Sequence, residues 1–326
     1  MNLINCTAID IPDGYEERIE VGFLEWKVIT YGAFLGCNNL VATTLPKGLK
    51  TIGKWVFYKC KNLRYVILPD GLTEIHDEAF HECNNLTSVS LPEGLKILGQ
   101  SSFQNSGLTS ITIPGSVSNV GSSAFYVCYD LTSAVINEGV EIISSSAFWD
   151  CYSLEFVTLP QSLKTIDRHA FRNCHSITSL SLPSGLTSIG AGAFLDCAVL
   201  TSITVPDKIT VINESTFSGC AVLTSTVLPA NLTSISYSAF VGCKKLTSIE
   251  IPAKVDYIGN SAFSQSGIQT FIMRPTIPPT LGETPLSTNS YSSLVIKVPA
   301  ASVDAYKTGP GYWSSLYYGK VVANND

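Results

Sequence analysis

Charge is scarce in this chain. Asp, Glu, Lys and Arg make up 14% of its 326 residues, and the formal net charge is −6. With no basic excess there is no electrostatic footprint for nucleic acid or an anionic membrane surface. No stretch approaches the roughly 20 consecutive apolar residues of a membrane span, which argues against direct membrane insertion. Only four histidines are present. Met1 to Gly14 lacks both a basic start and an apolar h-region, so it is not a secretion signal as given. Either the protein is cytosolic, or its export signal has been removed.

What is abundant is repetition. Phenylalanine stands at 34, 57, 80, 103, 125, 148, 171, 194, 217, 240 and 263, always 23 residues apart except for the 22 between Phe103 and Phe125. A fixed short period marks a solenoid, in which each coil leaves its apolar face bare until the next covers it.

One coil opens with Leu86-Thr87-Ser88-Val89-Ser90-Leu91-Pro92, another with Leu200 to Pro206. The alternation predicts a short strand with one buried face, and proline ends it. Gly94-Leu95 and Leu98-Gly99 supply apolar anchors on a bend. In Glu78-Ala79-Phe80-His81-Glu82-Cys83, residues 79, 80 and 83 share one face of a helical or 3-10 turn looking inward across the core.

Nine cysteines follow the repeat phenylalanines by three residues, from Cys37 to Cys243, with Ser106 and Ser266 interrupting the set. Neighbouring strands ~4.8 Å apart leave bridges sterically open. An odd count and a broken run specify no pairing, so the expectation is reduced thiols packed as small hydrophobes. A row of single ligands does not enclose a metal ion tetrahedrally.

Catalytic motifs fail one by one. Gly48-Leu49-Lys50-Thr51-Ile52-Gly53-Lys54 matches most of a phosphate loop, but Trp55 stands where Ser or Thr binds magnesium, and Leu49 and Ile52 are core positions. Gly190-Ala191-Gly192 lacks the third glycine of a dinucleotide fingerprint. His169 and His175 share a coil without a ligand set beside them. No serine sits in a G-x-S-x-G elbow. The sequons at Asn85 and Asn231 each contain a core leucine. The chain reads as a non-enzyme with no cofactor.

Surfaces are more promising. Outward strand positions form a neutral lawn, mostly of Ser and Thr, broken by Tyr65 and Phe156, which lie four coils, roughly 19 Å, apart. In the turns, Tyr126 and Tyr129 are three residues apart, with Trp149 and Tyr152 as counterparts one coil later. Stacking brings these four together, with Tyr58 more distant, as a candidate protein or glycan contact.

The template L-x-x-I-x-L-P-x-x-L-x-x-I-x-x-x-A-F-x-x-C, seen in Ile189-Gly190-Ala191-Gly192-Ala193-Phe194-Leu195-Asp196-Cys197 followed by Leu200-Thr201-Ser202-Ile203, resembles the BspA-like, Treponema pallidum type of leucine-rich repeat. The resemblance implies an α/β solenoid: a curved, right-handed superhelix of eleven ~23-residue repeats, with parallel strands on the concave face and helical or 3-10 turns on the convex face. It sets an N-terminal cap at 1–28, a solenoid at 29–275 and a C-terminal cap at 276–326. In the first, Thr7 to Pro12 reads as a degenerate strand segment with Cys6 in the leucine slot. In the last, a strand at Leu294 to Val298 and a helix from Pro299 to Tyr306 precede Tyr312, Trp313, Tyr317 and Tyr318, which cover the final coil. The family also implies a secreted or surface-displayed bacterial protein, several relatives acting as adhesins that bind host proteins. With the placement of the aromatics this gives the expectation of an adhesin-like contact to a host extracellular-matrix protein or glycan. Tyr65, Tyr126, Tyr129, Trp149, Tyr152 and Phe156 are the candidate contact residues, read from their outward and turn positions. A structural spacer presenting another domain is the alternative.

Overall fold

The fold is taken from a computed structural model that describes residues 8–10, 28–286, 291–315 and 317–324. The chain divides into two compact units, Met1–Leu163 and Lys164–Asp326. Each is a parallel β-solenoid with very little helix.

In the first unit, Ala8–Asp10 pairs with Ala42–Thr44, which pairs with Tyr65–Ile67. Further along, Ser110–Ile113, Ser133–Ile136 and Phe156–Thr158 form a second run of the same ladder. In the second unit, Ser202–Thr204 pairs with Ser225–Val227, and Ser248–Ile251 with Thr270–Met273. Every pairing is parallel, and all but the first, whose partners lie 34 residues apart, join residues about one repeat apart, as the periodicity requires.

Between the two runs, Ser88 makes only an isolated bridge to Tyr65, and in the second unit Ser179 bridges only Ser202. The expected strand over Leu86–Pro92 is thus reduced to a single bridge. The neighbouring coil is one residue short, but the equally short coil at Ser266–Ile268 still pairs over four residues, so length alone does not account for the loss at Ser88. Nothing in the structure supplies a cause at Ser179 either.

Each coil also holds a second strand that the sequence reading took for a bend. Val28–Ile29, Thr51–Ile52, Glu74–Ile75, Ile97–Leu98, Asn119–Val120 and Ile142–Ile143 are two-residue rungs of a parallel ladder. Thr165–Ile166 pairs with Ser188–Ile189, and Val211–Ile212 begins another run through Ser234–Ile235, Tyr257–Ile258 and Thr280–Leu281. Two residues are too few for alternation to show, so periodicity does not flag them.

The phenylalanine segments are turns, not the helical turns expected. Glu78, Phe80 and Glu82 donate their N–H groups to Gln100, Ser102 and Gln104 of the next coil, at 2.8–2.9 Å. The intervening Ala79, His81 and Cys83 bond back three residues, to His76, Glu78 and Phe80. This alternation needs a left-handed residue two before and two after each phenylalanine, such as Glu78 at φ 55° and Glu82 at φ 56°. A helix requires consecutive right-handed residues, so the same i, i+3 and i, i+4 spacings arise here from tandem turns.

Inside, the phenylalanines form columns. Phe34, Phe57, Phe80, Phe103, Phe125 and Phe148 stack with ring centroids 5.0–5.7 Å apart, and Phe171 to Phe263 with centroids 5.3–5.8 Å apart. Phe57, Phe80, Phe217 and Phe240 are fully buried.

The nine repeat cysteines are buried and unbridged. Seven are seen to donate to the carbonyl of the phenylalanine one coil earlier, as Cys83 does to Phe57 at 3.1 Å and Cys220 to Phe194 at 3.4 Å. The interruptions coincide with shorter coils. Where Cys-x-x-Leu is replaced by Ser106-Gly107-Leu108 or Ser266-Gly267-Ile268, the coil is one residue shorter and runs against its predecessor. A Cβ on Gly107 would collide with the carbonyl oxygen of Asn84, and one on Gly267 with that of Lys244.

The ladder runs on past the eleventh phenylalanine coil. Thr280–Leu281 adds a rung, Leu286 is buried, and Val295–Pro299 and Val321–Asn324 extend the longer ladder. The expected tail helix is present as Ala300–Ser302 and Val303–Thr308. Trp313 and Tyr317 are buried as expected, but Tyr318 is 57% exposed and Tyr306 takes the inner place. Tyr306 donates to the Pro275 carbonyl at 2.9 Å and the Trp313 indole to Pro279 at 2.7 Å. The Leu286 N–H donates to the Tyr317 hydroxyl at 3.3 Å. Buried aromatics with satisfied polar tips seal this end. The Tyr312 side chain, Cys6 and most of residues 1–28 lie outside the described residues.

Candidate functional site

Strand alternation puts one residue in and the next out, so whatever stands at the outward positions forms an open face. Most are Ser or Thr. Apolar side chains interrupt this in a few places: Tyr65 and Ile67 are 51% and 54% exposed, and Phe156 is 62% exposed. Beside Tyr65 the ladder drops to its single bridge, and a shallow cavity of about 380 Å³ opens there, lined by Tyr65, Val66, Ile67, Leu68 and Ser88–Ser90. It has an aromatic and an aliphatic wall and two hydroxyls, with no charge. In the second unit, Val227 and Val322 are exposed apolar residues, at 60% and 44%, while Arg274 holds Glu250 in a two-pronged ion pair at 2.9 and 3.1 Å.

The turn side carries the predicted aromatic quartet. Tyr126 lies 5.2 Å from Trp149 and Tyr129 lies 4.9 Å from Tyr152, centroid to centroid. Partial desolvation first, then the Asp150 carboxylate, raises the pKa of the Tyr152 hydroxyl. A second ring ladder was not anticipated. Tyr31 meets Trp55 in a tilted contact at 4.7 Å, Trp55 lies 6.2 Å from Tyr58, and Tyr58 meets His81 edge-on at 5.0 Å. Lys54 and Lys59 sit over Trp55 and Tyr58, and each also faces a carboxylate, Asp77 and Glu82, at 3.7 Å. Tyr31 and Trp55 occupy different slots of the repeat from Tyr58, so slot-by-slot comparison did not group them.

Burial dominates the titration of several other groups. Burial pushes the thiols up, to about 12 in Cys60, Cys197 and Cys243 and about 11 in Cys128, so none is a ready nucleophile. Burial lowers His81 against the opposing pull of Glu78 and Glu82, and lowers His169, which also lies near Arg172 and Arg168. Among the described residues, no group of three metal-ligating side chains converges. The phosphate-loop lookalike runs through the Thr51–Ile52 rung, with Leu49 and Ile52 buried, so its backbone is not a cradle.

Comparison with known proteins places this architecture. Residues 27–155 and 141–269 match the BspA type leucine rich repeat region. Among solved structures, a leucine-rich repeat protein from Bacteroides ovatus is similar over 97% of this chain and 92% of its own, with 23% identity and a TM-score of 0.60. The T. pallidum leucine-rich repeat protein shares 28% identity over 60% of this chain and 78% of its own, with a TM-score of 0.46. A leucine-rich cell surface protein from Faecalibacterium prausnitzii shares 26% over 85% of this chain and 78% of its own, at a TM-score of 0.45. No curated protein matches. With its matched segments spanning most of its length, the chain belongs to the BspA-type leucine-rich repeat family.

Proposed function

We propose that this is a non-catalytic binding protein, acting outside the cell or on its surface, and that its strand face recognises a protein or glycan in an adhesin-like way. The observation that carries this reading is the cavity beside Tyr65 and Ile67. A soluble sheet has no folding reason to expose an aromatic and an isoleucine side by side over an uncharged hollow, and such patches serve as contact sites. The surrounding hydroxyls suit hydrogen bonding to peptide or sugar, and the lack of charge favours a neutral surface in the partner. Phe156 is a separate anchor on the same face. The fold is one commonly used for binding, and repeats of this family imply an extracellular setting.

The test is direct capture. Immobilised protein is exposed to extracellular-matrix proteins and mucosal glycans, alongside Tyr65→Ala/Ile67→Ser and Phe156→Ala variants of unchanged melting temperature. The reading expects a partner retained by the parent and lost by the first variant. A partner retained equally by all three, or none retained by the parent, overturns it.

A further inference from the structure

We infer that the turn side of the first unit is a self-association surface, and that its partner is a second copy of this chain in antiparallel, two-fold arrangement. The inference is independent of the strand-face reading. It rests on how rings and charges are placed along the coils.

Counting coils by their phenylalanines, the Tyr31–Trp55–Tyr58 ladder belongs to those of Phe34 and Phe57, and the Tyr126–Trp149 and Tyr129–Tyr152 pairs to those of Phe125 and Phe148. The two clusters are therefore equidistant from the gap between the Phe80 and Phe103 coils. A two-fold axis through that gap lays the first cluster of one copy on the second cluster of the other, and the reverse, which is the reciprocity an isologous interface demands.

Charge agrees with this pairing. Residues 28–69 hold six Lys or Arg and no carboxylate, whereas 97–163 hold five carboxylates and no Lys, Arg or His. Lys54 and Lys59 flank the first ring cluster, and Asp130 and Asp150 the second. In the antiparallel pair the lysines of one copy meet the aspartates of the other. The internal pairs to Asp77 and Glu82 are exposed contacts worth little, and each ammonium keeps donors to spare. Cations over tyrosine and tryptophan faces add to the attraction.

The strip from the first to the sixth coil is roughly 24 Å long, five coil spacings of ~4.8 Å. A contact confined to this strip is small, and the association is taken to be weak, on the order of tens of micromolar.

Sedimentation and light scattering over about 1–300 µM bracket that range. The expected result is a concentration-dependent dimer that weakens as salt rises and is abolished in Tyr129→Ala/Tyr152→Ala. Lys54→Glu/Lys59→Glu and Asp130→Lys/Asp150→Lys each weaken it at least about tenfold, as like charges then meet. An equimolar mixture of the two recovers a heterodimer, because one contact set is native and the other is reversed in both partners. The repeat itself shows these changes are tolerated, since Asp77, Glu82, Lys245 and Lys59 occupy the same slots in other coils. A protein monomeric throughout, a dimer indifferent to the tyrosine pair, or a mixture that stays monomeric overturns the inference.

Discussion

The thiol of Cys128 donates to the carbonyl oxygen of Phe103 at 3.1 Å, while its sulfur lies 3.4 Å from the hydroxyl of Ser106. One side chain thus ties the shortened coil to its successor, where the normal thiol ladder is broken. The bond depends on a protonated sulfur. In all the repeat cysteines with a resolved shift, burial is the leading cause and its direction is upward.

This makes stability fall on the alkaline side. Thiols in the unfolded chain lose their protons near pH ~8.5, those in the folded chain only near about 11–12. Below the lower value both states are protonated and stability is at its full level. Above it the unfolded state binds fewer protons, so stability falls with rising pH until the folded thiols also titrate. Urea midpoints measured in reductant from neutral pH upward are expected to drop through this window, and less steeply in Cys197→Ala. Equal slopes for the two proteins would refute the assignment.

Gly107 tests the account of the short coil. With the Asn84 carbonyl where a Cβ would go, Gly107→Ala forces backbone to move and is expected to destabilise by about 1–3 kcal/mol. Gly94→Ala, whose Cβ meets nothing closer than an ordinary 3.8 Å contact, serves as the control. Matching losses in chemical denaturation would rule out close approach as the reason for the glycine.

Val127 holds φ 63°, a region that is poor for a β-branched residue. The equivalent slot is glycine at 219 and 242, with φ 75° and 72°. Relief of a left-handed cost of about 1–2 kcal/mol outweighs glycine's entropic penalty of roughly 0.5–1 kcal/mol. Val127→Gly is therefore expected to raise stability by about 0.5–1 kcal/mol. A lower urea midpoint would mean that the valine side chain contributes more than its strain costs.

Much of the architecture was legible because packing repeats. Phe80 and Phe103 must occupy one slot in successive coils, and that slot must be buried, so spacing alone located the core. Outward placement of Tyr65 and Phe156 followed from alternation. The turn around Phe80 was misread because residues 79, 80 and 83 suit one face of a helix and one side of two tandem turns equally. Only backbone torsions at Glu78 and Glu82 separate the two. The Ile97–Leu98 rung was too short to show a period. Tyr126 and Trp149 were brought together correctly since they share a slot, whereas Tyr31 and Trp55 meet across different slots. The cavity beside Tyr65 lies where the pairing drops to a single bridge at Ser88, which no side-chain pattern announces.

The claim beneath all of this is that successive coils shield one another through the phenylalanine column. Urea unfolding of Phe217→Ala against Ser202→Ala tests it most directly. Phe217 is fully buried and stacked 5.7 Å from Phe194, so its truncation is predicted to cost about 3–5 kcal/mol. Ser202 points outward from its strand, so its loss is predicted to stay within about 0.5 kcal/mol. Comparable losses for the two would contradict the shared interior.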